Sequence, residues 1–212
     1  MERWTEVLLL FVLVTNFGVL ATDRLSAMIR IIAFQGVLLG LLPLTLAPSF
    51  SLPGVWLGVG TLAVKAVILP WSLLWAIREA SVRREVAPAV GYVAALLLGC
   101  AAVGIAFAAS TRLPLPAERA PLLVPVSLAT LMMGFIVLTT RTKALSQVLG
   151  YLVLENGIFL FGLTLADRLS LLVEMGVLLD IFVGVFIMGL VVFQINRELD
   201  SIDSSRLTEL TD

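Results

Sequence analysis

Histidine is absent from this chain, and cysteine occurs once, as Cys100. Without histidine, and with a lone thiol, the sequence has no ligand set for a metal ion or an iron–sulfur cluster, and nothing to pair in a disulfide. Any redox chemistry associated with the protein must therefore reside on another chain. Charge is scarce too: 14% of the 212 residues are Asp, Glu, Lys or Arg, against 60% hydrophobic, and the mean hydropathy is +1.08. A soluble domain of this size needs more polar surface, so the lipid bilayer is the expected solvent. No nucleic-acid partner is expected.

A helix needs about 20 apolar residues to cross a membrane. Seven segments qualify, at roughly 4–22, 28–47, 55–77, 88–110, 121–140, 144–166 and 171–194. Short connections separate them and leave no soluble domain. The expected fold is all-α: a polytopic membrane protein with seven transmembrane helices. It divides into a four-helix portion over 1–120, a three-helix portion over 121–197 and an acidic tail over 198–212. The leader MERWTE sets Glu2 and Glu6 against Arg3, unlike the basic start of a signal peptide, and Val19-Leu20-Ala21 is a weak cleavage site, so no processing is expected.

Basic residues set the orientation. Seven crossings put four of them on the N-terminal side, Arg3, Arg112, Arg119 and Arg168. Nine fall on the other side: Arg24, Arg30, Arg78, Arg83, Arg84, Arg141, Lys143, Arg197 and Arg206. The positive-inside rule then places the N-terminus outside and the C-terminus in the cytoplasm.

Three spans carry an ionisable residue near mid-depth: Lys65 in the third, Glu155 in the sixth and Asp180 in the seventh. At about 1.5 Å per residue each lies roughly 14–17 Å deep in a core of about 30 Å, so they share one layer. Each costs about 2.5–3.5 kcal/mol at a helix centre, while apolar neighbours return about 0.3–0.6 kcal/mol apiece. The helices can insert, but these groups are expected to face protein or water and to find partners. Desolvation favours the neutral form of such groups and pairing favours the charged form. That balance suits proton or cation handling.

The flanking residues fit this layer. Gly176 and Gly184 stand four residues on either side of Asp180, on one helix face, and allow a helix or a water file to approach. Glu174, nearer the outer end, reads either as a group admitting ions or as an interfacial carboxylate beside Arg168. Tyr151, one turn before Glu155, reads as a packed aromatic or as a partner of that carboxylate. Asn156 points about 100° from Glu155 on an ideal helix and is expected to tie its helix to a neighbour. Pro70 is expected to kink the third span within about a turn of Lys65, opening a water pocket. Gly36 and Gly40 form a small-xxx-small pair that helix packing alone explains.

The segments RTKALSQVLGYLVLENGIFLFG and LLVEMGVLLDIFVGVFIMG resemble the hydrogenase-4 component E family of membrane subunits, over nearly the whole chain. The part from 121 to 212 is also similar in plan to the K subunit of complex I. The resemblance implies a subunit of a complex I-like, energy-converting assembly such as formate hydrogenlyase or another nickel–iron hydrogenase, in the cytoplasmic (inner) membrane of a prokaryote. Its partners would be antiporter-like subunits and a quinone- or hydrogenase-proximal membrane subunit, with iron–sulfur and nickel–iron centres on partner subunits. Glu155 would match the first key carboxylate of the K subunit and Asp180 the second, with Lys65 as electrostatic counterpart. Alternatives are a K-like subunit of a multi-subunit cation/proton antiporter, a purely structural scaffold and, last, a free-standing solute carrier.

Overall fold

A computed structural model of the chain describes residues 2–46, 58–79, 90–113 and 121–165, and these are helical with short connections. Helix α1 spans Glu2–Ala21 and α2 spans Leu25–Leu46. Helix α3 joins a π-helical segment, Leu62–Ile68, to an α-helical one, Leu69–Glu79. Then come α4 (Tyr92–Ser110), α5 (Leu123–Thr140) and α6 (Ala144–Leu165). Among the described residues, six helices are long and apolar enough to cross a membrane, and they overlie the first six expected segments. The seventh segment lies outside the described residues. So do Glu174, Gly176, Asp180, Gly184, Arg168 and the acidic tail.

The helices end where the sequence stops being apolar. Between α1 and α2 the polar run Thr22-Asp23-Arg24 breaks the first helix, and the Arg24 carbonyl starts the second by accepting from the Ala27 and Met28 amides at 2.9 and 3.0 Å. Helix α5 stops at Arg141, whose backbone is extended. Its buried guanidinium reaches back to the end of α1, where Nη2 donates to the Thr22 carbonyl at 2.9 Å. A cation thus meets carbonyls at a helix C-terminus, where the helix leaves acceptors open.

The α5–α6 hairpin is closed by glycine. A Cβ at Gly150 would lie 2.6 Å from the Leu138 amide nitrogen, one at Gly157 2.6 Å from that of Leu131, and one at Gly134 would collide with the Leu154 backbone. Small residues let the two backbones approach where lipid supplies no hydrophobic drive.

The bend expected at Pro70 takes the form of a π-helical turn just before it. Pro70 has no N–H to give and its ring crowds the carbonyl four residues back. Widening the preceding turn relieves both problems, and the Leu69 amide donates to Val64, five residues back.

Two apolar clusters form the interior. One gathers Val19, Leu20, Met28, Ile32, Leu73, Ala102, Met133 and Leu149 with their neighbours. The other gathers Leu9, Val12, Leu39, Leu42, Leu123, Val126 and Leu160. Both draw on residues from either side of position 120. Along α1, α2, α5 and α6 alike, buried polar residues mark the boundary between the clusters: Asn16, Gln35, Thr130, and the pair Glu155–Asn156. The molecule is a polar layer sandwiched between two oily ones.

Candidate functional site

Lys65 sits in the π-helical segment of α3 and is 4% exposed; Glu155 on α6 is 2% exposed. Their side chains meet, with Lys65 Nζ 2.6 Å from Glu155 Oε1. Nζ also donates to Asn156 Oδ1 at 3.1 Å and lies 5.8 Å from the centre of the Phe159 ring, one turn further along α6. At that distance an aromatic face attracts a cation. The equal depth expected of Lys65 and Glu155 is therefore realised as direct contact.

Backbone packing makes the contact possible. A Cβ on Gly36 would stand 2.8 Å from both the carbonyl carbon and oxygen of Lys65. Glycine there lets α3 lie against α2 at the level of the lysine. Gly40, one turn on, would meet Leu62 and the Gly58 carbonyl in the same way, at 2.7 and 3.1 Å. The small-residue pair does serve packing, and what it packs against is the lysine-bearing turn.

Asn156 does more than tie α6 to a neighbour. Its Oδ1 faces Lys65 and its Nδ2 donates to Gln35 Oε1 on α2 at 2.9 Å. From there Gln35 Nε2 donates to Asn16 Oδ1 on α1 at 2.8 Å, and Asn16 Nδ2 to Thr130 Oγ1 on α5 at 2.8 Å. The Thr130 hydroxyl donates to the Val126 carbonyl at 2.8 Å. Five helices thereby contribute to one buried polar network. Tyr151 is half-buried and packs on the first apolar cluster, a turn before Glu155.

The charge pattern does not single out Gln35, Asn16 or Thr130. The available signal is depth: each stands well inside an apolar span, roughly 10–18 Å from its first residue at about 1.5 Å per residue, close to the layer of the charges. Beside Lys65 lies a cavity of about 10 Å³, lined by Lys65 and Asn156 together with Ile29, Ile32, Leu69, Pro70, Leu73 and Leu152. Such a space is at the lower limit for one water molecule, roughly 10–15 Å³, and it adjoins Pro70 as the kink argument anticipates. The arrangement can hold an ammonium and a carboxylate within proton-transfer distance, buried among helices, with a small, mostly apolar cavity at one side.

No family model matches the chain, and no solved structure matches it. Among curated proteins, Hydrogenase-4 component E of Escherichia coli K12 and that of Shigella flexneri are each 32% identical over 99 residues, 47% of this chain and 45% of the relative. That likeness is narrower than the near-full-length resemblance expected from the sequence, since it spans less than half of those relatives. Uncharacterized protein Rv0085 of Mycobacterium tuberculosis is 32% identical over 192 residues, which is 89% of this chain and 87% of the relative. With a polytopic helical body and a likeness that runs along nearly all of both sequences, the chain belongs to the family of Rv0085.

Proposed function

We propose that this protein is a non-catalytic membrane subunit of a complex I-like, energy-converting redox complex, of hydrogenase or formate hydrogenlyase type, in the inner membrane of a prokaryote. Its buried charges would take part in coupling a partner's electron transfer to proton or sodium movement. The observation that carries this reading is the Lys65–Glu155 ion pair at 2.6 Å, set inside a polar layer between two apolar clusters.

A buried pair of this kind is a poor stability device. Taking both charges out of water costs several kcal/mol per ion, and apolar residues of equal volume often serve stability as well or better. Its use is as a local two-state element: a charge arriving nearby changes the balance between Lys65 and Glu155, and a proton can move between them or to a water in the adjoining cavity. Asp180, by its depth in the sequence, supplies the second carboxylate, and Glu174 the group toward the outer face. The partial likeness to Hydrogenase-4 component E supports assembly with hydrogenase-type membrane subunits. Iron–sulfur and nickel–iron centres would belong to those partners.

The test uses the complex purified in mild detergent and rebuilt in vesicles. Glu155→Gln and Asp180→Asn are expected to leave the complex assembled, with the iron–sulfur absorbance of its partners, but to impair ion-linked turnover. Normal gradient formation in both variants overturns the coupling role. Co-purification without any iron–sulfur absorbance overturns the redox assignment.

A further inference from the structure

The amide chain that leaves Lys65 has a direction, and the lysine imposes it. An ammonium donates and cannot accept, so Asn156 must turn its oxygen to Nζ. Its nitrogen then faces outward, so Gln35 must present its oxygen; Gln35's nitrogen in turn requires the oxygen of Asn16. Asn16 donates to the Thr130 hydroxyl, which hands its own proton to the Val126 carbonyl. Each amide nitrogen along the route has an acceptor, and all three amides turn their oxygen to the Lys65 side of the chain.

Gln35 and Thr130 are fully buried and Asn16 nearly so, so water does not offer them an alternative partner. In a low-dielectric interior, aligned hydrogen bonds polarise one another and a half-satisfied network is costly. Primary amides neither gain nor lose protons near neutral pH, so the chain cannot act as a proton path. It can only orient.

We infer that Gln35, Asn16 and Thr130 are positioning residues for Lys65, acting through Asn156 to hold a carbonyl oxygen on its ammonium. The inference rests on the reading of Lys65 and Glu155 as the coupling pair, and it assigns the α1–α2–α5 side of the pair to orientation. Proton or ion traffic is thereby left to the side of the small cavity at Pro70.

Lys65 and Lys143 are the only lysines in the chain, which permits a direct test. The full-length protein, labelled with nitrogen-15 at Nζ and carrying Lys143→Arg, gives in bilayers a single lysine side-chain signal, that of Lys65. Gln35→Met does not alter a group in contact with Nζ, yet it removes the acceptor for Asn156. It is expected to shift the Lys65 signal by more than its linewidth. Gln35→Glu, which in its protonated form accepts from Asn156 and donates to Asn16, restores the original position. Thr130→Val, nearly the same shape as threonine, shifts the signal the same way by less, and Thr130→Ser reverses that. It provides the reading if the glutamine variant does not fold. An unmoved Lys65 signal in whichever of the two variants folds overturns the inference, because a packing role alone leaves the lysine as it was. A shifted signal with normal ion-linked turnover upholds the positioning role and counts against the coupling reading instead.

Discussion

Among the described residues, two pairs of helices set glycine against a neighbour's backbone, and they use the closeness differently. In the α5–α6 hairpin, Gly134, Gly150 and Gly157 bring apolar turns together, and the residues they admit are the backbones of Leu154, Leu138 and Leu131. Between α2 and α3, Gly36 and Gly40 admit the backbone of Lys65 and the side chain of Leu62. The first contact joins neighbours three residues apart along the chain and binds the body. The second places a cation at the level of Glu155 and Asn156. A small-xxx-small pattern alone does not tell these uses apart; what the partner helix carries does.

The greatest effect is expected from breaking the first contact. Gly134→Leu drives a side chain into the Leu154 backbone, which cannot yield as a flexible side chain would, and should cost about 3 kcal/mol or more. Loss of monodisperse protein in detergent and of the cooperative thermal transition would report it. Recovery of wild-type unfolding behaviour would mean that the hairpin closes some other way.

Next comes the ion pair itself. Lys65→Met or Glu155→Leu alone strands a buried partner and should destabilise the protein by about 3–5 kcal/mol, whereas the double variant should return close to wild-type stability. Denaturation of all three in one detergent gives the comparison. Ion-linked turnover is expected to stay lost in the double variant; its return would identify the pair as scaffold.

A milder insult sharpens the contrast between the two glycine contacts. Gly36→Ala and Gly157→Ala each force a methyl into a backbone, at 2.8 and 2.6 Å, and each should cost about 1–3 kcal/mol. Turnover measured in the assembled complex should fall only for Gly36→Ala, since that one displaces Lys65. Equal losses would erase the distinction. The smallest effect is expected at Thr139, whose exposed hydroxyl donates to the Phe135 carbonyl at 2.9 Å within its own helix. Thr139→Val should change stability by no more than about 0.5 kcal/mol, and a larger change in the same unfolding assay would place that face against a partner.

Much of the site was readable from the chain. Lys65 and Glu155 stand out because charge is costly in a membrane helix, and equal depth made them candidates for one layer. Asn156 reads as a link between helices, which it is, through Gln35. Its second contact, with Lys65, is not legible in the sequence. A residue 100° round an ideal helix from Glu155 can touch the same ammonium because the long lysine side chain reaches in between the two. Gln35, Asn16 and Thr130 do not stand out in the sequence, because an amide or a hydroxyl in a span carries no charge to mark it. The π-helical form of the Pro70 bend was likewise beyond reach, since a proline demands relief without dictating which turn provides it.

By itself, the sequence determined the solvent, six of the apolar spans offered to it, and how far along its span each polar group stands. Depth follows from counting residues along a helix whose rise is fixed by its own hydrogen bonds. Only the tertiary structure decided azimuth: which face of α2 meets α3, that Nζ lands on Glu155, and that three uncharged side chains line up behind Asn156. Rotation about a helix axis is set by steric fit between segments distant in sequence, at glycines such as Gly36 where one missing methyl group lets two backbones touch.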